Sequence, residues 1–154
     1  GLLINLRQDC PGCGRGFLFI MNEPIEVAAG LVFRKGRLLI TQRLAGGHLA
    51  GLWEFPGGKR ETGEGMPDCL QRELAEELGI TVAVGQCVET LTHSYPEKTV
   101  RLEFYLCELT DGEPVGLDGQ ELAWVTVDAL DAYEFPAADA RLLERLKTET
   151  LWWG

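Results

Sequence analysis

The chain has 154 residues, a length that suits a single domain built around one hydrophobic core. Apolar residues make up 45% of it and charged residues 25%, which is typical of a soluble globular protein, and no apolar stretch approaches the ~20 residues of a membrane-spanning helix. A formal net charge of −10 disfavours long nucleic acids as partners, so a small anionic substrate would need a divalent cation between it and the carboxylates.

The first 22 residues differ from the rest and are predicted to form an N-terminal extension ahead of a single domain over residues 23–154. They are rich in glycine, show no sustained hydrophobic period and contain Cys10 and Cys13 in a Cys-Pro-Gly-Cys motif. This motif is half of a zinc site, which needs four ligands, and no second pair has matching spacing. Five cysteines, three of them inside predicted elements, argue against a disulfide framework and for a cytoplasmic protein.

The elements begin at residue 25 with a predicted hairpin, whose strands cover residues 25–33 and 38–42 around a turn at 34–37. A glycine-rich loop and a short strand at 53–55 follow. A helix is predicted over residues 66–78, because Leu70, Leu74 and Leu78 repeat every four residues and Gly79 follows them.

The second half of the chain alternates less regularly. Strands are predicted at 81–91, 99–109 and 121–127, followed by an amphipathic helix at 137–148. Since strands and helices mix without strict strand–helix–strand alternation, the pattern indicates an α+β protein.

The predicted helix at 66–78 carries an unusual density of acid. Glu73, Glu76 and Glu77 are spaced i, i+3 and i+4 and therefore share one face, near the end where the helix dipole disfavours anions. Clustered carboxylate oxygens are what Mg²⁺ prefers. Arg72 is adjacent and suited to orient a carboxylate, while Glu64, in the preceding loop, is expected to hold Arg72 or add a metal ligand. The alternative is a solvated acidic face above a leucine stripe.

The segment from Gly58 to Ile80 fits the pattern Gly-x5-Glu-x7-Arg-Glu-U-x-Glu-Glu-x-Gly-U, in which U is aliphatic. This pattern is the Nudix box, and the chain resembles Nudix hydrolases, most closely the bacterial MutT-type pyrophosphohydrolases. The resemblance runs over residues 25–147. It implies an α/β/α sandwich with a mixed sheet between helices. It also implies hydrolysis of a nucleoside triphosphate to the monophosphate and pyrophosphate, dependent on Mg²⁺, for which Mn²⁺ can substitute.

The resemblance also implies roles for single residues. Glu73, Glu76 and Glu77 match the metal-binding carboxylates, Glu73 matches the general base, and the Gly57 carbonyl matches a backbone ligand. Asp118 stands where relatives usually carry a glutamate as a further ligand or base. Two basic residues, Arg43 and Lys59, match positions near the substrate phosphates, and their alternative is surface charge.

A pocket for the base is expected to involve Phe55, Tyr95, Lys98 and Asp139. The MutT pattern has Asn in place of Asp139 and Arg in place of Lys98. An ionised Asp only accepts hydrogen bonds and would favour an amino group such as N4 of cytosine, whereas a buried, protonated Asp could donate. The alternatives are a helix cap for Asp139 and core packing for the two aromatic residues.

The predicted function is MutT-like pyrophosphohydrolysis of oxidised guanine nucleotides such as 8-oxo-dGTP, with cytosine nucleotides, ADP-ribose or dinucleotides as alternative substrates. A different class is a Nudix-fold binding module without turnover, against which the complete carboxylate set argues. The expected partner is a small nucleotide, with no stable nucleic acid binding and no membrane, and the expected state is a monomer or weak homodimer.

Overall fold

The computed structural model describes residues 24–44 and 50–154. Within these residues it contains seven strands, two α-helices and three 3-10 helices. The strands are β1 Ile25–Arg34, β2 Arg37–Gln42, β3 Trp53–Glu54, β4 Gly57–Lys59, β5 Thr81–Ser94, β6 Thr99–Asp111 and β7 Leu122–Val125. The helices are α1 Met66–Leu78 and α2 Ala140–Thr148, and the 3-10 helices are Val127–Ala132, Ala137–Asp139 and Thr150–Trp153. The predicted extension, with Cys10 and Cys13, lies outside the described residues.

Strand β1 is the centre of a mixed sheet with the order β3-β2-β1-β6-β5. It pairs in parallel with β6 over residues 25–33, and antiparallel with β2 at its end and with β4 at Val27–Ala29. Strand β7 pairs with β2, and β5 forms a long antiparallel ladder with β6. The hairpin and the mixed sheet agree with the prediction.

Side chains of β1 alternate between two cores, one on each face of the sheet. Ala28 and Val32 pack with the α1 leucines on the face called here the α1 face. Ala29 and Leu31 pack with Leu142 and Leu146 of α2 on the opposite, α2 face. The resulting α/β/α sandwich confirms the predicted fold.

Helix α1 keeps its predicted bounds, 66–78. Its leucine stripe is fully buried, and Gly79 ends it in the left-handed conformation with φ 69°. The loop that follows β6 closes this end, because the N–H groups of Val115 and Leu117 donate to the carbonyls of Leu78 and Glu77.

The structure adds one strand that was not predicted and moves the ends of several predicted elements. The residues Gly57–Lys59 form strand β4, which was not predicted because glycines disfavour isolated strands. The strand predicted at 121–127 is shorter, Leu122–Val125, and the second helix starts at Ala140 after the 3-10 turn Ala137–Asp139. Tertiary pairing, which local propensity does not contain, decides these ends.

No helix within the described ranges is long and apolar enough to span a membrane. The cysteines Cys69, Cys87 and Cys107 are free thiols. This agrees with the expectation that these three, which lie in regular elements, form no disulfide framework.

Candidate active site

Arg72 is the centre of the acidic site on α1. Its Nε donates to Glu64 Oε2 at 2.6 Å and its Nη2 to Glu64 Oε1 at 3.0 Å, which makes a two-pronged ion pair. Nη1 reaches Glu73 Oε2 at 2.9 Å and Glu76 Oε1 at 3.3 Å. Nη2 also donates to the Lys59 carbonyl at 3.1 Å, so Arg72 ties α1 to the loop before it and to β4.

Glu64 holds Arg72 in this orientation. The hydrogen bond from Arg72 lowers the pKa of the Glu64 carboxyl to about 2, so Glu64 is ionised at neutral pH. The Glu61 N–H adds a second hydrogen bond to the same carboxylate at 3.0 Å. Glu64 therefore serves the first of its two predicted roles, holding Arg72.

The side chain of Glu73 extends from α1 towards β4, and its carboxylate occupies the space that a side chain at Gly58 would need. A Cβ at Gly58 would fall 2.2 Å from the carboxyl carbon of Glu73, and a Cβ at Gly57 would fall 2.0 Å from the Ala28 carbonyl oxygen of β1. Burial is the largest effect on Glu73 and raises the pKa of its carboxyl, although Arg72 opposes this shift. A carboxyl with a raised pKa is suited to accept a proton.

The three glutamates of α1 are not a solvated acidic face. Glu77 is buried, with 8% of its surface exposed, and Glu73 is partly buried, whereas Glu76 is exposed. Charged groups are rarely buried without a compensating partner. The structure thus contradicts the alternative of a solvated acidic face for two of the three.

The residues present fit a divalent cation. Four glutamates, Glu61, Glu64, Glu73 and Glu76, lie within 3.8 Å of the Arg72 guanidinium, so a single positive charge faces four negative ones. The donor atoms are carboxylate oxygens, the hard ligands that Mg²⁺ takes. Within residues 24–44 and 50–154, no three acidic, His or Cys side chains are grouped closely enough to be recognised as a preformed metal cage. The ligand set remains a prediction.

Asp118 lies in the loop that closes the end of α1. It follows Leu117, whose N–H donates to the Glu77 carbonyl at 3.1 Å, so the loop is fixed beside the glutamates. The Asp118 side chain is exposed and its own N–H donates to Gln120. Its role as a ligand stays a prediction.

A second group of charged residues, here called the acid pair site, consists of Arg43, Glu54 and Asp139. Arg43 Nε lies 3.0 Å from Glu54 Oε1, and both side chains are less than 15% exposed. Burial raises the pKa of the Glu54 carboxyl, which Arg43 opposes and Asp139 reinforces. Burial also raises the pKa of Asp139 to about 6, with Arg43 acting in the opposite direction.

Asp139 is buried, with 9% of its surface exposed, and its side chain makes no capping hydrogen bond to α2. The capping alternative is therefore wrong. Arg43 is largely buried, which contradicts its alternative as plain surface charge.

Phe55 belongs to the core. It is 1% exposed, and its ring stacks on Phe135 at 5.2 Å and meets Phe104 edge-on at 5.9 Å. Because neighbouring rings cover it, the structure supports the core alternative and not the predicted stacking on a base.

Tyr95 and Lys98 form the turn between β5 and β6, closed by the Tyr95 N–H donating to the Lys98 carbonyl at 2.7 Å. Tyr95 packs partly buried beside Val27 and Val100, at the end of the sheet where β4 lies. Lys59 is exposed on β4. The placement of these three residues is compatible with substrate contact, which stays a prediction.

Glu54 was not among the predicted site residues. A signal for it exists in the sequence: it is the one charged residue in the otherwise apolar run Leu52–Trp53–Glu54–Phe55–Pro56. Its proximity to Arg43 and Asp139 could not be predicted, because residues 43 and 139 are 96 positions apart in the chain and come together only in the folded protein.

Comparison with known proteins identifies relatives over most of the chain. The family model described as NUDIX domain matches residues 28–145. An 8-oxo-dGTP diphosphatase of Haemophilus influenzae is 45% identical over 127 residues, which cover 82% of this chain and 93% of that protein. A CTP pyrophosphohydrolase of Escherichia coli is 37% identical over 120 residues, which cover 78% of this chain and 89% of that protein.

Solved structures give the same result. A structure from a study of MutT of Aliivibrio salmonicida and Vibrio cholerae superposes with a TM-score of 0.69 at 33% identity, covering 80% of this chain and 96% of that one. The solution structure of the Escherichia coli ORF135 protein has a TM-score of 0.70 at 37% identity, covering 84% and 91%.

Proposed function

Since the chain belongs to the NUDIX domain family, we propose that it is a Mg²⁺-dependent, MutT-like pyrophosphohydrolase that converts nucleoside triphosphates to the monophosphate and pyrophosphate. Membership makes it a hydrolase of phosphorus-containing anhydrides. The leading substrates are oxidised guanine nucleotides such as 8-oxo-dGTP, the substrate that names its 45% identical relative.

One observation carries the proposal: Arg72 holds Glu64, Glu73 and Glu76 together on the face of α1 beside β4. A divalent cation bound at this face supplies neutralisation of the phosphate oxygens. Glu73, Glu76, Glu77 and the Gly57 carbonyl would hold it, with Asp118 as a further oxygen. Maintaining so many like charges around one guanidinium stabilises the protein little by itself, so the arrangement points to a bound cation.

The chemistry of the chain's own residues follows from this placement. Glu73, which Arg72 binds at 2.9 Å, accepts a proton from the attacking water. The water oxygen attacks the β-phosphorus, and the bond from that phosphorus to the oxygen bridging to the α-phosphate breaks. Arg72 orients Glu73, and Lys59 and Arg43 contact the phosphates.

Asp139 supports a second candidate substrate class, cytosine nucleotides. Its carboxyl, with a pKa of about 6, is ionised above that pH and then only accepts hydrogen bonds. An acceptor matches N4 of cytosine and is repelled by O6 of guanine. The 37% identical CTP pyrophosphohydrolase agrees with this alternative.

A nucleotide panel tests the proposal. The protein with Mg²⁺ is given 8-oxo-dGTP, dGTP, dCTP, modified CTPs, ADP-ribose and a dinucleotide, and pyrophosphate, phosphate and nucleotide products are quantified. Monophosphate and pyrophosphate from a triphosphate support the proposal. Cleavage of ADP-ribose alone would favour that alternative, and no turnover of any compound would favour a binding module.

Glu77→Gln removes charge but little volume from the buried end of the acidic face, so we expect turnover to fall by about 100-fold or more while the fold persists. Circular dichroism and a thermal melt check the fold. Glu108→Gln, an exposed change on β6, is the control and should keep full activity. Near-normal turnover by Glu77→Gln would exclude Glu77 from the site.

Asp139→Asn replaces an acceptor-only group by one that donates and accepts, so we expect the ranking of bases to move towards guanine. The ratio of kcat/KM for 8-oxo-dGTP to that for dCTP measures the change. An unchanged ratio would remove Asp139 from the base pocket without touching the assignment of the acidic face.

A further inference from the structure

A pair of ion pairs around one buried carboxylate, outside the acidic face, joins strand β5 to helix α2. Its centre is Glu89, of which 9% is exposed. Arg141 Nε donates to Glu89 Oε2 at 2.6 Å, and Arg145 Nη1 lies 3.5 Å from Glu89 Oε1. None of these residues has a role in the proposed chemistry.

Two register shifts in β5 determine which residue of β6 pairs with Glu89. The β5–β6 register shifts between Val84 and Cys87 and again between Cys87 and Glu89. Each shift adds one residue to β5, so the two together return the following side chains to their original face and move their pairing along β6 by two residues. Glu89 thereby comes opposite Phe104, whose ring lies in the apolar core of the α2 face.

A carboxylate at the edge of an apolar core is costly unless it is paired. Both of its charged partners lie on α2, Arg141 in the first turn and Arg145 in the last turn. Besides binding Glu89, Arg141 donates from Nη2 to the Thr90 carbonyl at 3.3 Å, and Arg145 donates to the Val88 carbonyl. The two arginines thus bind three consecutive residues of β5, Val88, Glu89 and Thr90.

The Arg141 ion pair lies two residues from Asp139. Arg141 lies in the first turn of α2, directly after the 3-10 turn that contains Asp139. Asp139 immediately precedes Ala140, the first residue of α2, so the position of its backbone depends on where this helix starts. On the opposite side Arg43 and Glu54 face Asp139 from the β2 end and from β3.

We propose that Glu89 is a positioning residue for base selection: by binding Arg141 in the first turn of α2 and Arg145 in the last, it fixes this helix against the sheet, and with it the place of Asp139. This inference rests on the proposed function, in which Asp139 contacts the base. Glu89 itself touches no substrate. Its loss lowers the discrimination between bases and leaves the acidic face of α1 unchanged.

The test measures binding of nucleoside monophosphates in the presence of a chelator, so that it depends neither on metal nor on turnover. Dissociation constants for CMP, dGMP, 8-oxo-dGMP and UMP are determined by calorimetry for the wild type, Glu89→Gln and Arg141→Gln. Arg141 is 67% exposed, and Arg145 still faces the Glu89 carboxylate when Arg141 is replaced, so a melting curve of each variant separates loss of stability from loss of discrimination. Glu144→Gln, an exposed change on α2, is the matched control.

We expect the affinity for the preferred base to fall about tenfold in Glu89→Gln and in Arg141→Gln, as loss of a charged hydrogen bond at a site predicts. The affinity for the least preferred base should change less than about twofold, and the control should match the wild type. In an Asp139→Ala background neither substitution should alter the ranking further, because Glu89 acts through Asp139.

A purely structural role gives a different result. In that case Glu89→Gln would weaken all four ligands equally, or would lower only the melting temperature, and either outcome overturns the proposal. So would an undiminished effect of Glu89→Gln in the Asp139→Ala background, or a wild type that binds all bases alike. Failure of the proposed function shows separately, as absence of triphosphate turnover in the nucleotide panel.

Discussion

Two charged side chains stand at the centres of separate clusters. Arg72 gathers the acids of α1 through fixed, forked hydrogen bonds, and Asp139 lies buried beside Arg43 and Glu54. In both places a carboxyl group has a pKa far from its ordinary value, lowered at Glu64 by Arg72 and raised at Asp139 by burial. Perturbed carboxyls in such positions are typical of functional sites.

The raised pKa of Asp139 makes stability depend on pH. The folded state holds this proton up to about pH 6, whereas the unfolded chain releases it near pH 3.8, so stability falls as pH rises between these values. At about 1.4 kcal/mol for each pKa unit, the ionised carboxylate costs the folded state about 3 kcal/mol at pH 8.

We therefore expect Asp139→Asn to be more stable than the wild type by up to about 3 kcal/mol at pH 8 and to differ little at pH 4. Urea unfolding at both pH values measures this difference. Asp128→Asn, an exposed change of the same kind, is the control. Equal effects of Asp139→Asn at the two pH values would mean that Asp139 ionises normally.

Arg72→Lys keeps the charge but loses the planar fork that binds Glu64 and Glu73 together. We expect kcat to fall about 10- to 100-fold while the melting temperature changes little, because the role is orientation. Steady-state kinetics with the preferred triphosphate check this, and the exposed Arg37→Lys is the control. Unchanged kcat would show that charge alone suffices.

Strand β4 shows how an element too weak to predict can still be essential. It has three residues, two of them glycines, and it lies between Ala28 of β1 and Glu73 of α1. Neither neighbour leaves space for a Cβ. The glycines thus allow the backbone of β4 to approach both the central strand and the acidic helix.

Gly57→Ala should destabilise the protein by about 3 kcal/mol, because its Cβ would overlap the Ala28 carbonyl, which belongs to the central strand and cannot move easily. Chemical unfolding measures the loss. The control Gly65→Ser lies at the start of α1, where the backbone is extended and serine is a good cap, and it should be neutral or slightly stabilising. A neutral Gly57→Ala would mean that β4 is free to shift.

The whole molecule carries a net charge of −10, part of which is concentrated on one side of α1. A cation that binds this face in the folded state, and not in the unfolded chain, stabilises the fold by mass action. Screening by monovalent salt is a separate and less specific effect. The two effects can be distinguished by experiment.

We expect the melting temperature in MgCl₂ to exceed that in NaCl of the same ionic strength. When Mg²⁺ is at 100 times its Kd, binding should add about 2.7 kcal/mol to the free energy of unfolding. Differential scanning calorimetry measures both. Glu77→Gln should remove the specific increment and keep the salt effect. Identical melting temperatures in the two salts would argue against a cation site in the absence of nucleotide.

The sequence alone determined the features that are local along the chain. Helix α1, its leucine stripe and the acidic spacing on its face follow from a period of 3.6 residues within 13 consecutive positions, so they were predictable to the residue. The hairpin of β1 and β2 is equally local. The Nudix box, which is also a local pattern, was sufficient to predict the family and with it the α/β/α fold.

Only the tertiary structure decided which distant residues meet. Four features each join segments that are separated in the chain. They are the pairing of β4, the packing of Phe55 on Phe135, the contact of Arg43 with Glu54 and the ion pairs of Glu89 with α2. Register shifts in β5 decide which residue of β6 faces Glu89, and no local pattern encodes them. The physical reason is that pairing and burial are properties of contacts between segments, whereas periodicity and turn chemistry belong to each segment by itself.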